Sequence, residues 1–273
     1  MSAAGSTLVT SSARRPPVLA EVWRFREFLL RLVVRNLKVK YQRSLLGFLW
    51  TLLNPLLTVG VLVVVFSYVV RIGVPHYWAF LVSGFFVWNF MLQMLNAGTT
   101  ILLEHASLRR SIAFPTEVLI FGAAASRLVE FAVELALALL LLIAIHHGGV
   151  PASMVLLPLL VVLQVLLAVG LVMMIATLAV FYHDVQHALP IVVLILFYVS
   201  PVFYPASLVP AAFQRAYLFN PIAGLLTLYH VTLYEGRFPP ATLLAGVTVA
   251  AVAVCLAGYG IFNRFKPLFA EIV

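Results

Sequence analysis

Arg127, Glu130 and Glu134 interrupt a long apolar run at spacings of three and four residues, which places all three on one face of a helix. Charge inside hydrocarbon is costly and is kept where it faces a bundle interior or a wet path. Two chemistries fit this group. Glu134 could carry a proton in a relay, or Arg127 could neutralise a carboxylate in an ion-paired cluster that orients the helix. A second group, Arg35, Lys38, Lys40 and Arg43, crowds the entrance to a stretch with no charge before Arg71. Fixed positive charge there serves orientation and holds anionic lipid. Aromatic rings form the third group: Phe85, Phe86, Trp88 and Phe90 in one run, Phe197, Tyr198, Phe203 and Tyr204 around another. Such rings stack on the C–H faces of sugars, or form belts at the membrane interface.

Other chemistries are excluded. All three lysines, Lys38, Lys40 and Lys266, lie outside any Gly-rich loop, so the chain has no P-loop and any ATP must be bound by another chain. No metal site is expected, since His146 and His147 are adjacent rather than at helical ligand spacing. Cys255 stands alone and forms no intrachain disulfide. Asp184 is the only aspartate, which removes the acidic pair that a polytopic glycosyltransferase would need in a large loop. A net charge of +8 would point to nucleic acid in a soluble protein, but here topology accounts for the charge and no nucleic-acid partner is expected.

The elements that must position these groups are membrane spans. A chain that is 64% hydrophobic and 10% charged is not a soluble domain, and its apolar runs repeatedly reach the length that crosses a bilayer. Residues 1–20 have the composition of a flexible tail without the apolar core of a signal peptide. Residues 21–42 read as an amphipathic helix at the membrane interface, with Arg24, Arg31, Arg35 and Lys38 on one face and Phe25, Leu29, Val33 and Leu37 on the other. The remainder, 43–273, is a transmembrane domain with six spans at about 44–70, 77–103, 117–145, 152–181, 188–203 and 241–262. Pro55 predicts a kink early in the first span. Residues 204–239 are too apolar for a free loop and read as a re-entrant or interfacial hairpin, with a helix starting at Asn220-Pro221 and stopping at Gly236.

Lys and Arg gather before the first span, between the second and third, and at the carboxyl end. Only Arg71, Arg215 and Arg237 fall on the opposite side, which predicts both termini inside.

Two separated stretches carry a family resemblance. "RNLKVKYQRSLLGFLWTLLNPLL" resembles the entry signature of polysaccharide-export permeases, the membrane subunits of type-2 ABC exporters of O-antigens, teichoic acids, capsular chains or galactan. "SPVFYPASLVPAAFQRAYLFNPIAGLLTLYHVTLYEG" is similar to that family's region before the last span. His183 and His230 stand where the family commonly has arginine. The resemblance implies an all-α, six-span subunit of a bacterial cytoplasmic (inner) membrane that forms a homodimer. Two copies of a P-loop ATPase subunit would pair with it and bind ATP and Mg. The first and fifth spans would line a channel at the dimer interface, bringing in Phe48 and Trp50 beside the aromatics above. The 204–239 segment would supply external gate helices. Arg24 and Arg31 of the interface helix would meet the ATPase, as would Glu104, His105, Arg109 and Arg110 of the connection after the second span. A lipid-linked polysaccharide would bring a diphosphate to the inner leaflet, where Arg35, Lys38, Lys40 and Arg43 are the candidate ligands. Two other functions share parts of this pattern: a proton-coupled secondary transporter using Glu130 and Glu134, and an ABC exporter of lipids or drugs.

Overall fold

The computed structural model describes residues 24–42, 44–104, 115–143, 145, 149–210, 213, 217 and 219–269. The tail at 1–20, Arg43, His105, Arg109, Arg110, the His146-His147 pair and Arg215 lie outside the described residues. Apolar runs punctuated by Gly, Pro and Asn form eight α-helices and no strand among the described residues. They are α1 (Arg26–Tyr41), α2 (Trp50–Val64), α3 (Tyr77–Glu104), α4 (Glu117–Ile143), α5 (Leu157–Phe181), α6 (Val185–Val199), α7 (Pro221–Tyr229) and α8 (Ala241–Phe265).

Four helical stretches are long and apolar enough to cross a membrane on their own: Gly47–Val69, Tyr77–Glu104, Ala152–Phe181 and Ala241–Leu268. The chain is a multi-pass membrane protein. The other two expected spans fall short for separate reasons. α4 has the length, 27 residues, but carries Arg127, Glu130 and Glu134. α6 is apolar but has only 15 residues, about 22 Å of rise against a hydrocarbon core of about 30 Å. It begins earlier than the expected 188 and ends at Val199, before Ser200, which is extended because Pro201 follows.

Pro55 does not end α2, which is helical on both sides of it. The sharp turn lies upstream at Gly47, whose φ of 49° belongs to the left-handed region that glycine tolerates. α2 loosens at its other end into a π-helical turn, Val65–Val69.

α3 forms the centre. Its most apolar window is 78% buried, against 17% for the first and last spans, and Phe86, Phe90, Met91 and Met94 are sealed from solvent. α5 and α8 cross at two glycines. A Cβ on Gly258 would lie 2.2 Å from the Gly170 carbonyl oxygen, so the two backbones touch. α7 starts where the Asn-Pro pair dictates, with the Asn220 side chain accepting from the Ile222 and Ala223 N–H groups. It continues as a π turn through Tyr234 and stops before Gly236, at φ 66°. An interfacial segment would be exposed, yet Leu225, Leu226, Leu228 and Tyr229 are fully buried, and α7 packs among α3, α5 and α8.

Contacts between chain-distant ends fix the alternation of the helices. At one end, Tyr77 donates to the Phe203 carbonyl (2.5 Å), Tyr234 to that of Pro75 (2.6 Å) and Ser153 to that of Thr232 (2.9 Å). At the opposite end, Lys266 meets Glu117, and Phe181 packs on Phe265 and Phe269.

Candidate functional site

Arg127, Glu130 and Glu134 of α4 face inward, and the structure adds a cation from a distant part of the chain. Lys40, near the end of α1, donates to both carboxylate oxygens of Glu130 at 2.8 and 2.9 Å. Arg127 donates to Glu130 at 2.8 Å from one turn earlier on the same helix. Gln93 of α3 accepts from both cations, at 3.1 Å from Lys40 and 2.7 Å from Arg127. One turn above, Asn89 donates to Glu134 at 2.8 Å. Glu130 and Glu134 are 2% and 1% exposed, so each carboxylate needs these donors to replace its hydration. The Lys40 side chain keeps 37% of its exposure. Burial draws the pKa of its ammonium below the ordinary value, and the hydrogen bond to Glu130 opposes that shift.

Two clefts meet at Lys40. One, of about 270 Å³, lies between α1, α3 and α4, with Arg35, Asn36, Glu104 and Arg127 on its wall. The other, of about 460 Å³, lies between α2 and α3 and is lined by Trp50, Asn54, Phe85, Asn89 and Gln93. Lys40 belongs to the wall of both. Amides and rings together can hold a hydrated, ring-shaped ligand, while the ammonium can meet an anion.

The structure therefore joins the interface helix and the intramembrane cluster, which the sequence presents as separate groups. Lys40 faces Glu130, whereas Arg24, Arg31, Arg35 and Lys38 stay on the exposed side of α1. The packed side of α1 includes Phe25, Leu29 and Val33 but turns toward Leu32, Asn36 and Lys40. Of the aromatic candidates, Phe86 and Trp88 are core residues at 1% and 3% exposure, and Phe85 is buried against the α2–α3 cleft. Phe48, Trp50 and Tyr198 are exposed. Phe203 gathers the rest, 5.3 Å from Phe197, 5.7 Å from Tyr198 and 5.0 Å from Tyr204 between ring centres. Trp88 reaches this group through Phe197 at 5.5 Å.

A further buried carboxylate, which the sequence analysis did not single out, sits in the first turn of α4. Glu117 is 2% exposed, and Lys266 donates to it at 2.7 and 2.6 Å. An acid at a helix start ordinarily reads as a solvated partner of the helix dipole, which hid this pairing. His230, in the position noted above, is also inside. It stacks on Phe80 at 4.0 Å, and its ring nitrogens lie 2.9 Å from Ser83 Oγ and 2.8 Å from the Pro201 carbonyl. Glu104 is exposed at the end of α3 and borders the first cleft. No metal-binding cluster occurs among the described residues.

The chain matches the ABC-2 type transporter family over residues 27–234. It is 30% identical to the protein named O-antigen export system permease protein RfbA of Myxococcus xanthus, over 94% of this chain and 99% of that one. Two Klebsiella pneumoniae proteins of the same name are each 24% identical, over 90% of this chain and 95% of their own.

Proposed function

This chain belongs to the ABC-2 type transporter family, and from that premise we propose that it is the permease subunit of an ATP-driven exporter of a lipid-linked polysaccharide. It is a transport subunit, not an enzyme, and the ATP-binding subunit is a separate chain. The observation that carries the substrate class is the end-to-end match to O-antigen export permeases, which covers nearly all of both chains. In this reading two copies assemble with two P-loop ATPase subunits, which bind ATP and Mg, in the cytoplasmic membrane of a bacterium. The chain crosses the membrane six times with both termini inside, α4 and α6 completing the count. The exposed apolar sides of α2 and α6, including Leu57, Val61, Ile191 and Ile195, support a channel between the two copies. Segment 204–239 gates it from outside. Arg35 and Lys38, on the exposed face of α1, together with Arg43, meet the phosphates of the lipid carrier.

Reconstitution tests this reading. The chain is co-purified with its P-loop ATPase subunit and placed in vesicles with lipid-linked glycan. ATP should move the glycan to the opposite leaflet, where a lectin detects it. Transport that ignores ATP and follows an imposed proton gradient would overturn the proposal in favour of a secondary transporter.

A further inference from the structure

α1 meets α4 through three successive pairs of residues. A Cβ on Gly122 would lie 3.3 Å from Leu32 Cδ1, Asn36 donates to Ser126 at 3.3 Å, and Lys40 binds Glu130. The pairs are four residues apart on both helices and keep a constant separation of 90 residues. The helices therefore run side by side in the same direction for two turns. The side chains that bridge them lengthen along the way: leucine against glycine, asparagine against serine, then lysine against glutamate. The axes thus diverge from a close approach at Leu32–Gly122, and the first cleft fills the widening gap. Lys40 spans its broad end.

Removing one partner of a buried ion pair is normally severe, because the other charge is left bare. Glu130 differs, since Arg127 holds it from within α4 whether or not Lys40 is present. Lys40 is itself partly in water and loses little on leaving. Glu117 offers the contrast. Among the described residues Lys266 is the cation that meets it, so that pair is a permanent staple. Because Lys40 lines both clefts, its departure would also join them into one polar passage from α1 to the Asn54–Asn89 level of α2 and α3.

We propose that Lys40 and Glu130 form a releasable latch: α1 pivots at Leu32–Gly122, and Lys40 lets go of Glu130 during the nucleotide cycle to join the two clefts. The proposal rests on the transport reading above. It makes Lys40 a positioning residue, not a ligand of the carrier phosphate.

The chain's three lysines make the test direct. Lys38 is exposed two residues away, and Lys266 is the staple. The intact complex with its ATPase is treated with an amine-reactive reagent, and modification of each lysine is read by mass spectrometry. Without nucleotide, Lys40 should react several-fold more slowly than Lys38. With a non-hydrolysable ATP analogue its rate should approach that of Lys38, while Lys266 stays slow. A Lys40-to-Lys38 ratio that is the same in both states would overturn the latch.

Variants give a second reading. Lys40→Gln should assemble in wild-type yield, hydrolyse ATP without added glycan and transport at least threefold less glycan per ATP. Arg127→Gln leaves Lys40 as the cation on Glu130 and should slow hydrolysis below wild type. Loss of assembly in Lys40→Gln, or the same direction of change in both variants, would refute the idea. The footprint needs no cargo, so a wild-type complex that fails to move glycan would overturn the functional reading and leave the latch to be judged by lysine reactivity.

Discussion

At the scale of single residues, what decides the chemistry is which charges have company. Glu130 has two cations, Lys40 and Arg127, whereas among the described residues Glu117 meets Lys266. Lys266→Met should therefore destabilise the protein by about 3 kcal/mol, the cost of a buried carboxylate left without its cation. The check is the unfolding midpoint of the detergent-solubilised chain, which should fall well below that of Lys40→Gln. Lys40 also changes how the phosphate hypothesis is tested. Reversing Lys40 would set a carboxylate against Glu130, so loss of export could reflect that repulsion. Lys38→Glu is the cleaner change, its side chain being exposed and lining neither cleft. Export should drop several-fold while the complex with the ATPase still assembles, and unchanged export would remove the head-group role. A third residue effect concerns Gly84, where a Cβ would lie 2.5 Å from His230 Cε1. Gly84→Ala must displace the ring from Ser83 and Pro201, which costs about 1–3 kcal/mol in thermal stability.

At the scale of elements, α5 and α8 form the tightest joint. Van der Waals packing holds helices together in lipid, and two facing glycines let the backbones touch. Gly258→Val should force the pair apart and lower the unfolding midpoint, whereas Gly260→Val, with open space around its Cβ position, should not. Equal effects of the two substitutions would show that the crossing does not matter. Local signals made several elements legible in advance. Asn220-Pro221 set the start of α7, and the three- and four-residue spacing of Arg127, Glu130 and Glu134 set their common face. What could not be read were pairings across the chain: Lys40 with Glu130 over 90 residues, and Lys266 with Glu117 over 149. Periodicity says which face of a helix turns inward, but not which helix waits there. The turn between α1 and α2 gave less warning, since it rests on the positive φ of Gly47 inside an otherwise apolar run.

At the scale of the molecule, α3 is enclosed while α2 and α6 present apolar sides that lipid or a second copy must cover. In the proposed homodimer, single cysteines at Leu57, Val61, Ile191 or Ile195, in a Cys255→Ala background, should cross-link to the second copy in native membranes. Failure at all four positions would refute a channel lined by α2 and α6. The enclosure of α7 also bears on how the protein is made. With its π turn it covers 14 residues from Pro221 to Tyr234, too short to span the membrane, and that turn places His230 and Thr232 in the interior against α3 and the Ala152–Leu156 turn. One wall of that interior is α8, which is synthesised last. Until Ala241–Phe265 emerges, the Gly224 side of Pro221–Tyr229, which packs on Val247, has no protein cover. Membrane insertion thus ends with a sealing step, and a nascent chain stopped before α8 would display an unfinished helix to the proteases that survey the membrane.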